Sequence, residues 1–466
     1  MTRRIGWLVV LAPALATIWV SRVLTFLAFP RGTRFPDTSG YTLEAVNFTP
    51  GWLIGNLQRP WPTPVLYAVL PSDSLRVLGQ LVLSGAAWTL LIIVVASLVK
   101  GNVLRLGLAL TLALLASTPF VLQWDTSLLA PSLMQSSLVA LLAFTIRLFQ
   151  QVTWTRIALT LTALAVLGAA KGPHLVILVM VIASLGITLR FRMSRTQLTV
   201  LCLAGAFIGI WSALVSYNVD RSWPNSYSGQ TALWLLGGQS SIAEPLSAWL
   251  SASGAPTCVT QDAPYMDLYE SVSAVIQDCP DASGYLRESM QVDVIEFLVS
   301  HPIDAAKLLT DGFGASVITN GTQYGSVLTV VPASVSDLFF GSISPDPRDL
   351  GATDQVGAVD ALRSGQPFTV VAPQLLWLMI GLGILLLISV SRWAAERRLS
   401  SMLIMFTLAL LFTSGITVIA APTEWPRQLG PYWVLTVASA IVAVGLGLSN
   451  RSGLLRGRST EVSPSN

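Results

Sequence analysis

Charge is what this sequence most conspicuously lacks. Of its 466 residues, 11% are charged and 53% are hydrophobic. A water-soluble domain keeps roughly 25% of its residues charged to cover its surface. The shortfall excludes an ordinary soluble protein and makes lipid the expected solvent. A net charge of +3 is too small to suggest a nucleic-acid partner. Histidine is nearly absent: His174 and His301 stand far apart with no cysteine clustered near either, which argues against a zinc site or any other metal centre. No stretch matches a P-loop, a Rossmann fingerprint, HExxH, GxSxG or an ATP-binding cassette. No cofactor is therefore expected. There is no internal repeat, and low complexity is confined to the polar tail from Arg451.

What is present is a series of long apolar runs. A membrane-crossing helix needs about 20 mostly apolar residues. Ten stretches reach or approach that length, near 6–29, 75–98, 104–124, 128–150, 154–170, 172–190, 197–216, 371–391, 400–421 and 430–449. The pair at 154–190 is divided by Lys171-Gly172-Pro173-His174 into two short spans, which could instead be re-entrant. Ala14-Leu15-Ala16 resembles a signal-cleavage site, but the apolar run continues to Phe29, longer than a signal core, so an uncleaved anchor is expected. Fifteen tryptophans suit a chain with two membrane interfaces.

Basic residues orient the spans. With a cytoplasmic N-terminus and ten crossings, the inner loops hold Arg3, Arg4, Lys100, Arg105, Arg147, Arg156, Arg190, Arg192, Arg195, Arg392, Arg397, Arg398, Arg451, Arg456 and Arg458. That is fifteen of the 27 basic residues, against only Glu396 and Glu461 of the 24 acids. Lys and Arg near helix ends set topology, so a plasma-membrane protein with both termini cytoplasmic is expected. The expected fold is an all-α polytopic membrane protein. Residues 1–216 form helices 1–7 with an outer loop at 30–74. Residues 217–370 form a mostly helical extracytoplasmic domain between helices 7 and 8. Helices 8–10 occupy 371–450, and 451–466 is a cytoplasmic tail.

The first outer loop contains Trp52-Leu53-Ile54 and Val65-Leu66-Tyr67, apolar but too short to span, and suited to helices lying in the membrane plane. In the outer domain, 286–310 reads as an amphipathic helix interrupted at His301-Pro302. Cys258 and Cys279 lie in the same domain, where a disulfide is natural outside the cytoplasm; the alternative is two free thiols. Cys202 sits in an apolar run as a packing residue.

Chemistry concentrates at the outer face. Arg34-Phe35-Pro36-Asp37-Thr38-Ser39-Gly40-Tyr41 follows the first span. A carboxylate at a membrane boundary holds its proton more tightly through desolvation, which suits Asp37 to take a proton from an acceptor hydroxyl; the alternative is a helix-cap or turn residue. Arg22, Arg31 and Arg34 could bind a phosphate. Arg22 lies inside the first span, where a charge is either functional or snorkels to the interface. Asp125, after Trp124, would face the same side and orient an acceptor, or else cap the fourth span. Further outer-face candidates are Lys171, His174, Glu424 and Arg427.

The layout resembles the GT-C superfamily of membrane glycosyltransferases, which use polyprenyl-phosphate sugars. Arg59-Pro60-Trp61-Pro62-Thr63-Pro64-Val65-Leu66-Tyr67 is similar to the proline-rich, Tyr-containing stretch before the second helix of many members, and Trp124-Asp125-Thr126-Ser127-Leu128-Leu129 resembles their second outer acid. Trp249 to Pro256 and Phe297-Leu298-Val299-Ser300-His301-Pro302 resemble uncharacterised bacterial GT-C-like proteins. The first-loop acid is single, and Ala130-Pro131-Ser132-Leu133-Met134-Gln135 stands where relatives often carry another, which argues against a two-carboxylate or metal-dependent mechanism. The resemblance implies an inverting outer-face transfer from a lipid-linked sugar, as substrate rather than cofactor, to a glycan, lipid or protein of the cell envelope. Asp37 would be the base and Asp125 its partner. Arg22, Arg34, Lys171 and Arg427 would hold the donor phosphate, and Tyr41, Arg59, His174 and Glu424 would position substrate. Two other readings are a lipid or glycan transporter or flippase, which calls for polar residues deep in several spans, and a non-catalytic envelope-assembly scaffold.

Overall fold

The computed structural model describes residues 2–32, 38–46, 49–55, 58–171, 173–223, 226–236, 242–261, 279–318, 397–420 and 431–446. The regular elements are helices: α1 (Thr2–Ala28), α2 (Thr38–Val46), α3 (Pro62–Val69), α4 (Asp73–Leu98), α5 (Asn102–Ala116), α6 (Pro119–Thr126), α7 (Ala130–Gln150), α8 (Trp154–Ala170), α9 (His174–Leu189), α10 (Arg195–Ser222), α11 (Tyr227–Leu233), α12 (Ala243–Ala252), α13 (Thr257–Gln261), α14 (Pro280–Glu288), α15 (Met290–Ser300), α16 (Pro302–Ile318), α17 (Arg397–Ala420) and α18 (Pro431–Leu446). Short 3-10 turns occupy Pro50–Ile54 and Trp234–Leu236.

Among the described residues, four helices are long and apolar enough to cross a membrane: Val9–Ala28 of α1, Asp73–Leu98, Ala130–Gln150 and Arg195–Ser222. Five more are apolar but shorter: Asn102–Ala116, Trp154–Ala170, His174–Leu189, Leu403–Thr417 within α17, and Pro431–Leu446. The eighth expected span, 371–391, lies outside the described residues. The expected span 104–124 is instead two helices, because Pro119 lacks the amide hydrogen that would continue α5. Ser117 and Thr118 form the break, and α6 begins at the proline.

Local chemistry sets the helix starts. Ser72 accepts from the Leu75 amide and Thr153 from the Arg156 amide, each satisfying an orphan donor of its helix. Ser194 and Gln197 cap α10 reciprocally. In the bundle, α4 packs on α1, α5 and α7, α8 packs on α7 and α10, and α9 packs on α17. Trp88, Leu91, Leu138 and Leu142 are among its fully buried side chains. Where α8 crosses α10, a Cβ on Gly168 would collide with the Ser212 hydroxyl, so the two backbones approach through small residues.

The described residues between α2 and α3 are clamped onto the last turns of α10 and the residue after it. The Trp211 indole donates to the Leu53 carbonyl at 2.6 Å and the Trp223 indole to the Gln58 carbonyl at 2.9 Å. Asn218 donates to the Ile54 carbonyl, and Gly55, at φ +86°, presses on the Val215 backbone. These side chains supply partners that non-helical backbone needs when water is scarce.

The expected interruption at His301-Pro302 separates α15 from α16, with a second break at Ser289. Cys258 and Cys279 are joined in a disulfide, their Cα atoms 6.2 Å apart. It ties α13 to the start of α14.

Candidate functional site

The site grows from the break at Pro119. Ending α5 at Ala116 leaves its last carbonyls without helical partners and makes that end electronegative. Arg22, on α1, fills the position. Its Nη2 donates to the Ser84 hydroxyl at 2.8 Å, the Ala116 carbonyl at 3.4 Å and Asp125 Oδ2 at 3.4 Å, while Nη1 donates to the Ile18 carbonyl at 3.3 Å. Arg22 and Asp125 are both buried, at 2% and 0% exposure, so neither charge is diluted by water. The Ser84 hydroxyl also faces the Asp125 carboxylate. Isolated ions this deep would cost several kcal/mol each, about the amount their pairing and hydrogen bonds must offset.

A polar stripe on α4 runs out from this pair. Arg76, Gln80 and Ser84 recur every four residues and so share one helix face. Gln80 donates to the Tyr67 hydroxyl and the Ser127 carbonyl, both at 3.2 Å. Arg76 pairs with Asp73 at 2.9 Å, donates to the Leu70 and Tyr67 carbonyls, and lies over the Tyr67 ring. The proline-rich α3 is thus fastened through Tyr67 to the segment that carries Asp125.

The described residues on either side of 33–37 meet the same place. Gly32, at φ +64°, lies so close to the Thr126 carbonyl that a Cβ would clash. Thr38 donates from its hydroxyl to the Leu128 carbonyl at 3.1 Å. Asp37 and Arg34 themselves lie outside the described residues, as do Glu424 and Arg427.

On α2, Tyr41 and Glu44 meet Arg59. The Arg59 guanidinium lies 5.3 Å over the Tyr41 ring and 5.2 Å over the Trp223 ring, a cation–π sandwich. Gly40 gives it room, since a Cβ there would stand 3.0 Å from Arg59 Nε. The Arg59 amide donates to Glu44 Oε1 at 3.1 Å, and the Gln58 amide adds a second contact to the carboxylate. Glu44 Oε2 is shielded and accepts no hydrogen bond among the described residues. Burial pushes the Glu44 carboxyl up to about 7, against the opposing pull of the Gln58 amide, the Arg59 charge and the Arg59 amide.

The structure therefore brings Arg22 to Asp125, and Tyr41 to Arg59. Lys171 and His174 stand at the α8–α9 turn: His174 is buried, with Nδ1 2.7 Å from the Leu167 carbonyl and its ring edge-on to Tyr432. Ser84, Gln80, Glu44 and Trp223 were not singled out from the sequence. The four-residue spacing of Arg76, Gln80 and Ser84 inside an apolar run was the available signal for the first two.

No family model matches the chain, and no curated protein matches it. Among solved structures, it is similar to the archaeal oligosaccharyltransferase AglB from Archaeoglobus fulgidus, in complex with an inhibitory peptide and a dolichol-phosphate, at 12% identity and a TM-score of 0.44. The match covers 100% of this chain and 53% of that one, so the chain spans about half that protein's length.

Proposed function

We propose that this chain is a GT-C-type glycosyltransferase of the plasma membrane, working at the outer face with both termini cytoplasmic. It moves a sugar from a polyprenyl-phosphate donor to a glycan, lipid or protein of the cell envelope. One observation supports the reading: Gly32 and Thr38, the described residues on either side of 33–37, both meet residues 126–128, directly after the buried Asp125–Arg22 pair. Asp37 is the sequence neighbour of Thr38, and we assign it as the proton acceptor. The disulfide in the outer domain agrees with an oxidising compartment.

Asp37 takes the proton of the acceptor hydroxyl. The oxygen attacks the anomeric carbon with inversion, the bond to the lipid phosphate breaks, and the phosphate leaves with the bonding electrons. Arg34, Lys171 or Arg427 receives that charge. Asp125 and Arg22 do not touch substrate in this scheme. They hold each other and so position residues 126–128, which Gly32 and Thr38 meet.

The test is transfer from a radiolabelled polyprenyl-phosphate sugar in proteoliposomes. Asp37→Asn should fold and bind donor lipid normally, yet lose about 10²–10⁴-fold in turnover, the usual worth of a general base. Undiminished turnover would overturn the assignment.

A further inference from the structure

The outer domain exposes large apolar side chains in one place. Among its described residues beyond α10 these are Val292, Ile295, Val299 and Ile303, which are 53%, 49%, 77% and 73% exposed. The spacing of three, four and four keeps the three on α15 on one side of that helix, over about 10 Å of its length. The other side of α15 already has its core: Met290, Val294, Phe297 and Leu298 are buried, and Phe297 stacks on His301 at 4.5 Å. The helix thus carries a second apolar face, of a kind that soluble domains rarely leave to water.

The surroundings identify what covers it. The next helix, α16, packs against α17, and the Leu309 side chain meets Gly415 at 3.6 Å from its Cβ position. Gly415 is five residues from the end of α17, whose own Leu408 and Phe412 are exposed. The exposed apolar residues of α15 are matched by those of α10, such as Leu203, Phe207 and Ile210, on a helix long enough to cross a bilayer. We infer that the Val292–Ile303 stripe lies in the bilayer surface and anchors the outer domain against it. The exposed charges nearby, Arg287, Glu288, Glu296 and Lys307, are two of each sign. Attraction to anionic headgroups is therefore absent from the design, and apolar burial alone does the anchoring.

The test uses the full chain in nanodiscs, with the exposed free Cys202 changed to Ser and the disulfide left oxidised. Val292→Cys and Val299→Cys are labelled separately with an environment-sensitive fluorophore, and Ser253→Cys, exposed on the turn after α12, serves as reference. At 292 and 299 we expect blue-shifted emission, quenching by lipid-borne nitroxide and resistance to aqueous iodide. Position 253 should show the reverse. The pattern should be the same in neutral phosphatidylcholine and in anionic lipid. Quenching by iodide would show a face left in water. Resistance to both quenchers would show a face covered by protein, such as the 319–396 segment. Either result overturns the inference, and neither depends on what the protein catalyses.

Discussion

Two arginine–carboxylate constellations in this chain are built on opposite principles. Arg22 and Asp125 face each other directly, buried, with Ser84 and the end of α5 closing the group. Arg59 and Glu44 do not pair head to head. The guanidinium is held by the Tyr41 and Trp223 rings, and the carboxyl by backbone amides. The inner pair is closed off from water. At the rim each member is held by a group that does not itself titrate near neutrality, so Glu44 can gain or lose a proton without dismantling its surroundings. The same two residue types make a fixed floor in one place and an adjustable joint in the other.

That contrast breaks most sharply at the inner pair. Arg22→Ala or Asp125→Ala leaves one buried charge alone and should cost about 3–5 kcal/mol of stability. Replacing both, as Arg22→Met with Asp125→Leu, should recover most of the loss. Thermal unfolding in detergent measures this, and a double variant no more stable than the singles would remove the view of the pair as a floor.

At the rim the expected effect is smaller and depends on pH. Glu44 has a folded pKa raised to about 7 from an ordinary value of 4.5. Its contribution to stability is therefore complete below about 4.5 and is lost as pH rises through about 7. Glu44→Gln should flatten the stability profile across that window while leaving the acid limb near the parent value. A parallel profile in the two proteins would place the titration elsewhere.

The smallest change comes from the rings. Trp223→Leu removes one cation–π contact, worth about 0.5–1 kcal/mol at an accessible site, and one bond to the Gln58 carbonyl. It should loosen the 58–61 segment with little effect on the bundle. Hydrogen exchange at Gln58 and Arg59 faster than in the parent, with α4 and α7 unchanged, would bear this out. Slowed exchange or a collapse of the whole fold would contradict it.

Much of this architecture could be read from the chain. The short apolar runs at 52–54 and 65–67 became a 3-10 turn and α3, and the interruption at His301-Pro302 falls where proline forces it. The split of the 104–124 run was legible in Pro119 but outweighed by the continuous apolar character around it. The partner of Arg22 was not legible. Asp125 lies 103 residues away, and no local pattern links a charge in one helix to a short helix beyond four others. Glu44 escaped for a different reason: a lone glutamate in a polar loop looks solvated, and only the amides of 58 and 59 folding over it show otherwise.

The grip of α10 on the stretch between α2 and α3 falls on main-chain oxygens, those of Leu53, Ile54 and Gln58, whose side chains are exposed. Every amino acid presents the same carbonyl. Mutation can therefore rewrite the outward lettering at 53, 54 and 58 while Trp211, Asn218 and Trp223 keep the loop in register. Descendants of this chain could change what the loop reads without first having to reinvent where it sits.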